Sequence, residues 1–224
     1  MNFDFTDDQR TIKATARELL ASRSPFERVR AAAEAGRDDA DLWRELCALG
    51  WPGIAIPEEH GGQGLGAVEL AVLLEELGYA VAATPLLGSA LAGLAIAHAG
   101  TAEQQARWLP GLAAGELTGA FGTPALVAGG GDAAVFVLAD GGGVTLLDRA
   151  DAEVEPIDAI DPTRRYAAVR GEGAELGDAA GALDRATGAL AAELVGVCQR
   201  ALDMTVAYVK ERRQFGRASC RERV

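Results

Sequence analysis

The chain has 224 residues, 49% of them hydrophobic, and its 33 acidic and 21 basic side chains give a formal charge of −12. That balance allows a sizeable buried core but excludes a surface built for nucleic acid or an anionic membrane, since both need concentrated positive charge. Cys47, Cys198 and Cys220 are too widely spaced for a disulfide framework or a metal site, and the acidic N-terminus has no signal-peptide core, so a cytoplasmic protein with reduced thiols is expected.

Helical signals dominate residues 6–117. Thr6 with Gln9, and Thr101 with Gln104, fit the capping box, in which a hydroxyl satisfies an orphan amide and the Gln side chain reaches back, so helices are predicted to begin at both places. Residues 50–66 hold Pro52 and Pro57 among several glycines and read as a long ordered loop. The apolar run 85–99 is too short to span a bilayer and reads as a buried core helix. Over residues 118–176 the pattern changes to short apolar runs at 134–139 and 144–147 and an alternating segment at 152–157. Glycine-rich turns at 129–131 and 141–143 complete the signature of a small β region. A last helix is predicted from near Gly181. Its Leu183, Leu190, Leu194, Val197, Ala201, Met204, Tyr208 and Val209 recur at helical spacing as one apolar stripe. At ~1.5 Å per residue it would be roughly 50 Å long, more than one short neighbour can bury, so it should belong to a helical bundle.

Most polar features have an ordinary reading. The GGQGLG segment at 61–66 lacks a preceding strand, a Walker lysine and a ribose-binding acid, and is expected to be a structural loop. His60 and His98 lie far apart, the first expected in a loop and the second at a helix end. None of the four serines sits in a G-x-S-x-G elbow, which argues against a serine hydrolase. The pairs Glu58–Glu59 and Glu75–Glu76 are expected to be solvated charge. The cluster at the end of the last helix differs. Arginines there favour the helix dipole, but the dipole does not account for the Gln-Phe-Gly that follows. A guanidinium for a diphosphate, an aromatic ring and a glycine permitting close approach are the parts needed to hold a dinucleotide.

The segment LDRATGALAAELVGVCQRALDMTVAYVKERRQFG at 183–216 resembles the first helix of the C-terminal bundle in acyl-CoA dehydrogenases. Residues 5–9, 48–66, 73–80 and 100–117 resemble that family's N-terminal helical domain. The resemblance implies a mainly α fold with a small middle β domain. Its domains are 1–117 (N-terminal helical), 118–178 (shortened middle β) and 179–216 (first helix of a truncated C-terminal bundle). It also implies FAD, an acyl-CoA substrate, electron-transfer flavoprotein or a similar acceptor, and a dimer or tetramer formed through the bundle, with no nucleic acid and no membrane insertion. In such enzymes the equivalent Arg and Phe contact the FAD of the neighbouring subunit. By that resemblance Arg212 would meet the diphosphate and Phe215 would pack on the cofactor, with Gln214 and Thr123 as further cofactor candidates.

Departures bear on activity. At 120–140 Thr123 and Pro124 echo the family's Thr-Glu-Pro loop, while the Glu, a downstream Gly-Ser-Asp and a Gly-x-Lys-x-Trp strand are missing. Thr187 stands where some members carry a substrate-contacting Arg, and Ala186 where a minority place the catalytic Glu. The usual base falls beyond the sequence, so no catalytic residue is assigned and the chain alone is expected to be an inactive fragment. Residues 217–224 depart from the family's continuation and, over 218–224, match a sequencing adapter read as codons, so a non-native tail is expected. The alternatives are a non-catalytic partner subunit of a heteromeric acyl-CoA dehydrogenase, and a flavin monooxygenase on the same fold.

Overall fold

A computed structural model describes residues 4–214 and 217–218, with side chains over 4–212. Six helices come first: α1 (Asp7–Arg23), α2 (Phe26–Glu34), α3 (Ala40–Ala48), α4 (Ala67–Ala80), α5 (Leu86–Ala99) and α6 (Ala102–Ala114). Both capping boxes form. Thr6 and Thr101 each accept the N3 amide hydrogen bond while Gln9 and Gln104 reach back to the cap backbone. The segment expected to be an ordered loop contains two short 3₁₀ turns, Trp51–Gly53 and Glu58–His60.

The β region exceeds the three runs visible in the sequence. Seven strands, β1 (Gly119–Thr123), β2 (Leu126–Ala128), β3 (Val135–Asp140), β4 (Gly143–Asp148), β5 (Glu153–Ile157), β6 (Tyr166–Arg170) and β7 (Ala174–Glu175), form one sheet in the order β5-β6-β2-β1-β3-β4-β7. The β1–β3 pair is parallel and the other pairs are antiparallel. The interior position of β3 explains why residues 134–139 read as an uninterrupted apolar run. Val135 and Val137 pack with Ile96, Leu109 and Leu112 of α5 and α6, while Phe136 and Leu138 pack on the other side with Val127, Leu147 and Val169. A strand buried on both faces loses the alternation that marks a half-exposed one.

The last helix, α7 (Ala179–Glu211), begins two residues before the expected position, capped by Asp178, whose side chain accepts from the Gly181 amide. Arg213–Gln214 (β8) then pairs antiparallel with Arg217–Ala218 (β9). The face of α7 that packs against α4 and α5 differs from the large apolar stripe. It carries Ala182, Ala186, Ala189, Glu193 and Gly196, whereas Leu190, Leu194, Met204, Tyr208 and Val209 are exposed. Small residues win because the backbones nearly touch. A Cβ at Gly78 of α4 would collide with the Glu193 carbonyl, and one at Gly196 with the Glu75 carbonyl. Bulky side chains at this crossing would push the axes apart.

Gly196→Ala should therefore lower stability by about 2 kcal/mol or more, because backbone rather than a mobile side chain must give way. Gly188→Ala on the same helix, where nothing lies within 4 Å, should be neutral or stabilising by up to about 1 kcal/mol. Urea midpoints of the two variants beside the unaltered protein test this, and equal midpoints would contradict the close crossing.

Candidate functional site

Two carboxylates are buried among the described residues, and the sequence reading identified neither. Glu76 was expected to be solvated, yet it is 1% exposed and lies under α1. Arg17 grips it with two guanidinium nitrogens, and Lys13 Nζ stands 3.3 Å from Oε1. A helical carboxylate is usually exposed, but here α1 supplies two cations that make burial tolerable. Arg17 also lies 3.7 Å from the Tyr79 ring centroid, and its pKa is raised, chiefly by the Glu76 hydrogen bond. Glu193, 3% exposed, sits on the buried face of α7 and pairs with Arg164 from the β5–β6 connection. Burial opposes the Arg164 charge, but hydrogen bonding and attraction from Glu193 outweigh it and raise the pKa. Both acids are thus committed to cations and poorly suited as general bases.

An apolar groove of about 450 Å³ runs between α4 and the first half of α7, with Val68, Leu70, Ala71, Val72, Ala189 and Val195 in its walls. Two carboxylates stand at its edge. Glu75 is held by Lys13 Nζ at 2.6 Å, and Asp184 is exposed.

The cofactor candidates lie in two regions. Thr123 ends β1, exposed and paired with Leu126. Arg212 terminates α7 in an extended conformation, its amide donating to the Tyr208 carbonyl at 2.9 Å and its guanidinium 5.3 Å from the Tyr208 ring centroid. It stands 16 residues past Gly196, the last buried position of α7, or roughly 24 Å along the helix. Gln214 has its backbone in β8, and Phe215 lies outside the described residues. Ala186 is buried in the helical core and Thr187 is exposed.

The remaining polar candidates are structural. In the 61–66 loop the amides of Gln63, Gly64 and Leu65 bond inward to the carbonyls of Gly53, Ile56 and Ile54, which leaves them unable to cradle a phosphate. His98 ends α5 as expected, but its ring nitrogen lies 2.8 Å from Asp178, a pairing across 80 residues that local sequence could not reveal. The Asp178 carboxylate is held below its usual pKa by the Gly181 amide first and His98 second.

A depressed folded-state pKa means that this cap's contribution is present above the unfolded value, about 3.9, and is lost as pH falls through the folded value. The difference in melting temperature between the unaltered protein and Asp178→Ala should be widest near neutral pH and shrink steadily in acid. A gap that persists or grows below about pH 3 would contradict the assignment.

Two family models match this chain: acyl-CoA dehydrogenase, N-terminal domain, over residues 6–116, and acyl-CoA dehydrogenase, C-terminal domain, over residues 173–223. Acyl-CoA dehydrogenase IpdE2 of Mycolicibacterium smegmatis is 40% identical over 215 residues, covering 95% of this chain and 68% of the relative. The solved structure described as the Tcur3481-Tcur3483 steroid ACAD G363A variant superposes with a TM-score of 0.81 at 32% identity, covering 95% of this chain and 69% of that one. The ChsE4-ChsE5 complex from Mycobacterium tuberculosis shares the fold at 23% identity and a TM-score of 0.81, over 97% of this chain and 71% of that one. The chain thus spans about two thirds of the length of these relatives.

Proposed function

The chain belongs to the acyl-CoA dehydrogenase family, oxidoreductases acting on CH–CH bonds, and we propose that it serves FAD-dependent α,β-dehydrogenation of an acyl-CoA as one subunit of an assembly that holds the cofactor between chains. The observation that carries this reading is the reach of α7. Arg212 lies roughly 24 Å beyond the last buried residue of its helix, far from its own helical core, which supports a site completed by a second chain. Tyr208 beneath it limits the orientations of the planar guanidinium, an arrangement suited to two-point binding of a diphosphate. Gln214 and Phe215 follow as further contacts in this reading, with Thr123 contributing from the sheet. FAD held by these residues would supply the hydride acceptor for the β carbon, with electron-transfer flavoprotein or a similar acceptor downstream. The groove beside α7 and the exposed residues Leu190, Leu194, Met204 and Val209 suit a bundle-type contact, giving a dimer or tetramer. The likeness to a steroid ACAD favours a steroid-derived acyl group as substrate.

A second reading is a non-catalytic subunit of a heteromeric dehydrogenase. Ala186 and Thr187 supply neither base nor guanidinium, and Glu76 and Glu193 are occupied by cations. The paired name of the Tcur3481-Tcur3483 structure is in keeping with this.

Acyl-CoA-dependent reduction of an electron-transfer dye separates these readings from a self-sufficient enzyme. The purified chain alone should give no turnover with butyryl-, octanoyl- or steroid-derived acyl-CoA, because none of its carboxylates is placed to act as the general base, and robust turnover would overturn that reading. In FAD-loaded assemblies Arg212→Ala should weaken cofactor retention on gel filtration tenfold or more, equivalent to about 1.5–3 kcal/mol, with Arg212→Lys recovering part. Equal retention in Arg212→Ala and the unaltered protein would return this arginine to a helix-end role.

A further inference from the structure

The adjacent residues Arg164 and Arg165 join three parts of the molecule. Arg164 reaches Glu193 on α7, while Arg165 pairs with Asp38 in the α2–α3 connection at 2.7 Å and with Asp132 beside the sheet. Burial raises the Asp38 pKa despite the opposing attraction of Arg165. Between these pairs lies a cavity of about 20 Å³, lined in part by Thr84, Arg164, Arg165 and Glu193. Three buried atoms of the residues lining it, Thr84 Oγ1, Arg165 Nε and Glu193 Oε2, meet no partner in the protein. Their chemistry is complementary: the first can donate or accept, the second donates and the third accepts. A buried polar atom left unsatisfied is costly, and three around one small space point to a shared ligand.

Size and chemistry identify the occupant. A site needs about 10–15 Å³ to admit one water, and at about 20 Å³ this cavity matches one water rather than an acyl group, a phosphate or a flavin. We propose that it is a hydration site. One ordered water accepts from Arg165 Nε–H, donates to Glu193 Oε2 and completes its bonding with Thr84 Oγ1. The water and the Arg164–Glu193 pair then fasten α7 to the α4–α5 turn and the β5–β6 connection. This turn is also where Val81, a β-branched residue, is held at a positive φ of 51°, backbone strain that needs a well-tied surrounding.

A crystal structure of the protein at a resolution that orders internal solvent should show one density peak within hydrogen-bond distance of all three atoms. An empty cavity, or direct pairing of these atoms with protein groups, would overturn the proposal. Hydrogen exchange provides an independent arm. Thr84→Val preserves shape but removes Oγ1, and should quicken exchange of the α7 amides around Glu193 about tenfold. Thr84→Ser, which restores the hydroxyl, should exchange within about twofold of the unaltered protein. Equal exchange in Val and Ser variants would also overturn it.

Discussion

The structure depends on how closely α7 lies against α4. Gly78 and Gly196 each face a carbonyl of the opposing helix, and Ala182, Ala186 and Ala189 continue the narrow contact toward the helix N-terminus. Close approach maximises dispersion along the backbones, and it turns most of the larger apolar side chains of α7 away from its own core, with Leu183 near the N-terminus an exception. The exposed Leu190, Leu194, Leu202, Met204 and Val209 follow from that choice. So does the burial of Glu193, which is carried into the interior by the same helix face and requires Arg164 to neutralise it. The packing that secures the first half of α7 thereby leaves Leu202, Met204 and Val209 of the second half exposed.

Much of this was legible in the sequence. The capping boxes at Thr6 and Thr101 were evident because their signals are local, and the apolar run ending at Ala99 was long enough to mark a core helix. Family membership was legible for another reason: the 48–66 and 183–216 segments keep an ordered pattern of residue types that periodicity alone would not require. The stripe on α7 was also real, and much of it is exposed, but the separate small-residue face that packs on α4 and α5 was not visible. Hydrophobic spacing shows that a face seeks burial and not which neighbour supplies it, and glycine and alanine contribute little to such a pattern. Strands β1, β2, β6 and β7 were hidden because they are short or lie among glycines and polar residues, and pair with strands distant in sequence.

The polar interior was the least legible part. Glu76 looked like one half of a solvated pair until α1 brought Arg17 and Lys13 over it. Arg164 and Arg165 lie in a connection with no motif, and their partners are 29 and 127 residues away. Charge neutralisation in a core is a tertiary property, and no window along the chain contains both members. This also bears on function, since the buried acids found in the structure are held in place by cations and leave the family chemistry to groups beyond them.

The central claim is that the cofactor is held between chains. Native mass spectrometry of the protein reconstituted with FAD, recorded across a range of protein concentrations, tests it most directly. The account expects FAD mass on dimers or larger species, falling in step with dissociation, and monomers without it. Monomers carrying a full complement of FAD at the lowest concentrations would contradict it.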